Sequence, residues 1–228
     1  TPKKFIMADY KIIYLTSLYN EKDANRKREL LTCISNTCNS GEIDELWLLC
    51  ENGEPFVEPP CDIRVRVVDI NHRPTYNDFF KLAQKVSNDG DVVIIANTDI
   101  YPEKGNRVHL ESLRINDCFA LSRYDEMENG EKIFFDRWDS QDVWIFKAPF
   151  KPINADFLLG RAGCDNAIAQ RTQQAGYTVR NPSRTIQFNH LHNSGVRTYN
   201  PDIRVPKPYL LITPHNLGES ANYNFIHQ

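Results

Sequence analysis

The segment Val92-Val-Ile-Ile-Ala96 narrows the possible folds more than any other. Its five consecutive apolar residues lack the polar alternation of a strand with one wet face, so they read as a strand covered on both sides. Such a strand needs helices above and below it, which implies an α/β fold with a mainly parallel sheet. The run ends on Asn97-Thr98-Asp99, followed by Ile-Tyr-Pro. Ligands of open α/β sheets sit at the carboxyl ends of strands, which makes these oxygen-bearing side chains a candidate site. The structural alternative is an Asx-type turn with Asp99 bonded to its own backbone.

Strand and helix alternate around this segment. KIIYLTSLY (11–19) is a first strand and DANRKRELLTCISNTC (23–38) an amphipathic helix, with Gly41 as a terminator beyond it. DELWLLC (44–50) and IRVRVVDI (63–70) are strands, TYNDFFKLAQKVSNDG (75–90) is a second helix, and 91–96 is the strand above. After residue 105, CFALSRYD, KIFFDRWD and SQDVWIFKA read as shorter, antiparallel additions with a turn at Glu128-Asn129-Gly130. GCDNAIAQRTQQAGY (163–177) is a third helix with Gly176 at C′, and TIQFNHLH (185–192) is a last strand or strand-like segment. From Pro201 the chain is rich in proline and reads as an extended tail or linker, giving one domain over 1–200 and an extension over 201–228.

A chain of 228 residues, 41% hydrophobic and 25% charged, suits one such domain. Its net charge of −3 carries no footprint for nucleic acid or anionic membrane. No apolar run approaches the ~18 residues of a membrane span, and the start has no signal-peptide core. It also lacks an initiator Met, so further domains of a longer polypeptide are an open expectation. Six cysteines without CxxC spacing, several inside apolar runs, fit a reducing cytoplasm better than a disulfide framework.

Asn97 and Asp99 share one side of a strand end. With water and phosphate oxygens completing the shell, two oxygen ligands suit Mg²⁺ or Mn²⁺. Thr75 and Asp78 approximate a capping box at the second helix; alternatively this helix start, with Arg73 before it, faces a nucleotide. His190 and His192 project from one face of an extended segment that leads into a Gly-containing loop with Arg197, a side chain able to grip phosphate. Asp165 either caps the third helix or serves as a general base. Asp142, before VWIF, belongs either to a second polar cluster or to a solvated turn.

Taken in order, IIYLTSLY, RPTYNDFF, NTD after VVIIA, SQDVWIF, GRAGCDNAIA and HLHNSGVR resemble the GT-A superfamily of nucleotide-sugar glycosyltransferases. They span about residues 11 to 200 and look particularly like the small glycosyltransferase domains encoded by chloroviruses. The resemblance implies a GT-A-like single domain. Its Asp-x-Asp motif would fall on Asn97 and Asp99, with the first acid replaced by an uncharged amide. The late histidine ligand would be His192, with His190 as the alternative, and the catalytic carboxylate Asp165, with Asp78 and Asp142 as further candidates. Thr16, Arg73, Tyr76, Asn97, Thr98, Asp99 and Arg197 would form the donor site.

The leading expectation is metal-dependent transfer of a hexose from a UDP-linked sugar to a glycan or glycoprotein hydroxyl, in the host cytoplasm if the source is viral. Two alternatives stand beside it: nucleotidyl transfer, and a nucleotide-sugar-binding module without turnover. Nucleotidyltransferases commonly carry a Gly-rich loop after the first strand, whereas LTSLYNEKDANRK contains no glycine.

Overall fold

The computed structural model describes residues 10–53, 55–61, 63–196 and 202–227. In chain order the elements begin with β1 (Ile12–Leu18), α1 (Ala24–Cys38), β2 (Glu45–Glu51), β3 (Arg64–Ile70), α2 (Tyr76–Val86) and β4 (Val92–Ala96). Next come β5 (Ile100–Pro102), α3 (Arg107–Leu110), β6 (Asp117–Leu121), β7 (Tyr124–Glu126), β8 (Lys132–Phe134) and β9 (Val143–Lys147). The chain continues with α4 (Cys164–Gln174), β10 (Thr178–Arg180), β11 (Phe188–His190), β12 (Tyr209–Ile212) and β13 (Tyr223–Ile226).

A seven-stranded sheet in the order β10-β6-β9-β4-β1-β2-β3 forms the centre of the molecule. Its ladders are parallel except where β9 lies antiparallel between β4 and β6. Alternate residues of one strand serve opposite faces: Val93 and Ile95 join one core cluster, and Val92, Ile94 and Ala96 the other. The apolar run is therefore continuous because both faces are covered. Phe79 and Ala83 of α2 and Ile168 of α4 pack on the first face, and Ile34 and Cys38 of α1 on the second. The fold is a mixed α/β domain with helices flanking a mainly parallel sheet. A smaller four-stranded sheet, β5-β11-β7-β8, lies beside it and is antiparallel apart from the β11–β7 ladder.

Two expectations need correction. The second helix stops at Val86 because Ser87 turns extended (φ −100°, ψ 151°) and Asp91 accepts the Asn88 N–H at 2.8 Å, making 87–91 a turn. Nor is the proline-rich stretch a tail over its described part. β12 and β13 pair antiparallel, and Leu210 and Ile212 are completely buried against the first core face. Val205 N–H donates to the Ala162 carbonyl at 2.9 Å, which ties this segment to the loop before α4. Gly163 in that loop has φ +76°, and a Cβ there would stand 2.5 Å from the Tyr209 hydroxyl oxygen. Both the conformation and the close approach call for glycine. All six cysteines are free thiols and five are buried. Among the described residues no helix is long and apolar enough to cross a membrane.

Candidate functional site

The turn after β4 and the end of β11 build the site together. β11 runs antiparallel to β5 with His190 opposite Ile100, and Leu191 N–H donates to the Asp99 carbonyl at 3.0 Å. That pairing carries both histidines back to a residue about 90 positions earlier. His190 Nε2 lies 3.2 Å and His192 Nδ1 3.7 Å from the same Asp99 oxygen, Oδ2. One ligand atom from each of Asp99, His190 and His192 falls within 4.8 Å of the others. All three face a cleft of about 460 Å³.

Arg26 of α1 also points into this cluster. Its guanidinium donates to Asp99 Oδ2, to Glu29 Oε2 at 2.9 Å and to the Leu191 carbonyl at 3.1 Å. Glu29 in turn accepts from the backbone and hydroxyl of Ser194 at 2.7 and 2.8 Å, so α1 ties down the loop after β11. Burial alone would raise the pKa of Asp99, but His190 and Arg26 outweigh it and hold the carboxyl far below its ordinary range. Burial works against the charged form of His190, yet Asp99 and Asp125 raise its pKa to about 9. For His192, burial and then Arg26 lower the pKa.

The same cleft is lined by Asp142 and Asp165. Asn97 Nδ2 donates to Asp142 Oδ1 at 2.7 Å, and Arg123 Nη1 to Asp142 Oδ2 at 3.0 Å. Asp165 lies in the first turn of α4, half-buried, with its Oδ1 accepting from the Cys164 thiol at 3.0 Å. Burial first and Asp142 second raise its pKa from 3.8 to about 7. The folded protein thus keeps a proton that the unfolded chain releases near pH 4. This contribution to stability is fully present below that pH and is lost as the pH rises through about 7. Asp165→Asn is expected to flatten the fall in stability between pH 4 and 7, read from urea midpoints across that range. An unchanged slope would reject the assignment.

The sequence-selected residues divide into three groups. Asn97, Thr98, Asp99, Asp142, Asp165 and Arg73 all line the cleft, with His190 and His192. Thr98 spends its hydroxyl on the Ser17 carbonyl at 2.8 Å, and Asn97 gives its amide nitrogen to Asp142. Thr16, Tyr76 and Asp78 do not line the cleft, and their placement there is corrected. Thr16 is buried and donates to the Ala96 carbonyl at 2.9 Å, since strand alternation presents Ser17 instead. Tyr76 is completely buried, with its ring centroid 5.2 Å from that of Trp144. Asp78 Oδ2 accepts from Thr75 N–H at 2.8 Å and from its hydroxyl at 2.9 Å, completing a capping box. Arg197 lies outside the described residues. Arg26, Glu29, Arg123 and Asp125 escaped the sequence reading. Arg26 had a signal: the side of α1 that carries buried Leu30, Cys33 and Ile34 also carries this one arginine, 5% exposed.

No family model matches the chain, and no curated protein matches it significantly. Among solved structures, 4-diphosphocytidyl-2C-methyl-D-erythritol synthase from Anaerococcus prevotii is 12% identical with a TM-score of 0.42, over 85% of this chain and 94% of its own. HddC from Yersinia pseudotuberculosis is 13% identical with a TM-score of 0.38, over 60% of this chain and 76% of its own. Mannose-6-phosphate isomerase from Helicobacter pylori is 14% identical with a TM-score of 0.39, over 60% and 71%. None of these neighbours is named as a glycosyltransferase, and the expectation of sugar transfer to a glycan is corrected accordingly. At such identities no residue correspondence carries over, so the function of this chain has to be argued from its own cleft.

Proposed function

We propose that the chain is a metal-dependent, nucleotide-binding transferase that acts at phosphorus, moving a nucleotidyl group from a nucleoside triphosphate to an anionic acceptor. The observation that carries this reading is the Asp99–His190–His192 cluster at the carboxyl end of a central strand. The same cleft presents Arg73 and Arg161, which have no carboxylate partner among the described residues. Two imidazoles and one carboxylate suit a first-row divalent cation, and the nitrogen donors favour Mn²⁺ or Zn²⁺ over the oxygen-seeking Mg²⁺. When bound there, such a cation would neutralise phosphate charge and polarise the phosphoryl group.

The chain's own residues would do the rest. Asp23 caps α1 by accepting from Asn25 and Arg26 N–H groups at 3.0 and 2.8 Å, so that helix start is not free to cradle phosphates. Arg73 and Arg161 would take that role with charged forks. An acceptor oxygen would attack the α-phosphorus, the bond to the bridging oxygen would break, and pyrophosphate would leave with the electron pair. A phosphate acceptor arrives ionised and needs no base; a hydroxyl acceptor would pass its proton to Asp165, whose pKa near 7 suits either direction of transfer.

A nucleotide-sugar-binding module without turnover is the second reading. Asn97 supports it, giving its amide to Asp142 where an acid would serve a cation better. One experiment separates the two. Pyrophosphate release is followed with Mn²⁺, each of the four nucleoside triphosphates and a panel of sugar and polyol phosphates, and calorimetry is run with the same nucleotides and with UDP-sugars. Turnover that stops with chelator supports transfer. Mn²⁺-enhanced binding without pyrophosphate supports the module, and no nucleotide binding at all rejects both.

A further inference from the structure

Asp125 sits behind the metal cluster, outside the lining of the cleft. In the parallel ladder between β11 and β7 it is the residue opposite His190. This register sets the two side chains against each other, with His190 Nδ1 2.8 Å from Asp125 Oδ1 while Nε2 faces Asp99. Asp125 is itself held by Arg123, whose Nε donates to it at 2.7 Å and whose Nη1 continues to Asp142. His192 meets the same requirement with a different partner. Its Nε2 donates to the Val196 carbonyl at 2.8 Å, leaving Nδ1 turned toward Asp99. The two imidazoles therefore offer opposite nitrogens to one carboxylate oxygen, and the outward nitrogen of each is taken by an acceptor.

We propose that Asp125 is a positioning residue for the cation: it accepts the Nδ1–H of His190, fixing the ring so that Nε2 presents its lone pair to the metal. An imidazole without such a partner can turn over or carry its proton on the inward nitrogen, and in both cases the ligand atom is lost. A carboxylate behind the ring also makes the ligating nitrogen more basic. Arg123 extends the support from Asp125 to Asp142, so one side chain links the partner of His190 to a second acid of the cleft. This inference rests on the metal reading of Asp99, His190 and His192.

The test is Mn²⁺ affinity of the full chain, measured by EPR titration without nucleotide, for wild type, Asp125→Ala, His190→Ala and the double variant. Asp125→Ala is expected to weaken Mn²⁺ by about 10- to 100-fold, in the range typical of such outer partners. The double variant should bind no more weakly than His190→Ala alone, because Asp125 acts only through that ring. In the Zn²⁺-loaded protein, ¹⁵N NMR should show His190 protonated at Nδ1 and bound through Nε2. Wild-type affinity in Asp125→Ala, or additive losses in the double variant, would overturn the role of Asp125 while leaving the metal site standing. Failure of the wild type to bind either cation would instead remove the metal reading, and this inference with it.

Discussion

Asp99→Ala is expected both to abolish Mn²⁺ binding and to destabilise the fold by about 3–5 kcal/mol, the cost of breaking a buried ion pair from one side. Asp99 is the anion on which Arg26, His190 and His192 converge, and the side chains of Arg26 and Asp99 are only 6% and 13% exposed. Without it, Arg26 keeps Glu29 but loses its second carboxylate, and His190 keeps only Asp125. Position at a strand end therefore does not make the residue dispensable to the fold. Asp99→Asn retains the volume and an acceptor oxygen, so it should recover much of the stability while still losing the cation. Thermal melting and Mn²⁺ titration of both variants check this, and an alanine variant that matches wild type in both would refute it.

A chain ending at residue 201 is expected not to fold. Residues beyond that point contribute Val205, Tyr209, Leu210, Leu211 and Ile212, all buried. At about 1.5–3 kcal/mol for each fully buried side chain, their loss removes roughly 8–15 kcal/mol, comparable with the ~5–15 kcal/mol of a whole domain. The cut also removes His215, which receives the Asn181 N–H on Nε2 at 3.1 Å and returns its own N–H to the Asn181 carbonyl at 2.9 Å. Within the intact chain, Leu210→Ala should cost about 2–5 kcal/mol. Circular dichroism and urea unfolding read both outcomes, and a cooperative transition in the truncated chain near the full-length midpoint would sink the claim.

Local pattern reveals most of the central sheet. The runs of β1, β2 and β4 are apolar because they are covered on both faces, and α1 and α2 repeat with helical period, so each declares itself within its own residues. The strands that local pattern obscures are those whose stability comes from distant partners. β5 and β10 have three residues each and exist through pairing with β11 and β6. In β12 the apolar Tyr-Leu-Leu-Ile was a usable signal, overshadowed by the prolines around it. The site divides in the same way. Asp99, His190 and His192 stand out because polar groups at the end of an apolar strand, and an HxH pair, are visible in the sequence. Arg26 and Asp125 lie 73 and 26 positions from Asp99 and meet the cluster only through the packing of α1 and the register of β7. No spacing in the sequence encodes those meetings.

The antiparallel strand β9, inserted between β4 and β6, governs the order in which the molecule can come into being. β4 bonds to β1 on one side and to β9 on the other, so that Val92 is matched with Ile12 and with Lys147. A chain leaving the ribosome at about 5–20 residues per second can join β1, β2, β3 and β4 early, but β4 then keeps an open edge of unpaired amides and carbonyls for several seconds. The residues on that waiting edge are the five of Val92–Ala96, an uncharged apolar run of the kind that pairs with a stray strand. Birth is the moment of greatest exposure for the strand that leads into the Asp99 turn, and the arrival of Val143–Lys147 ends it.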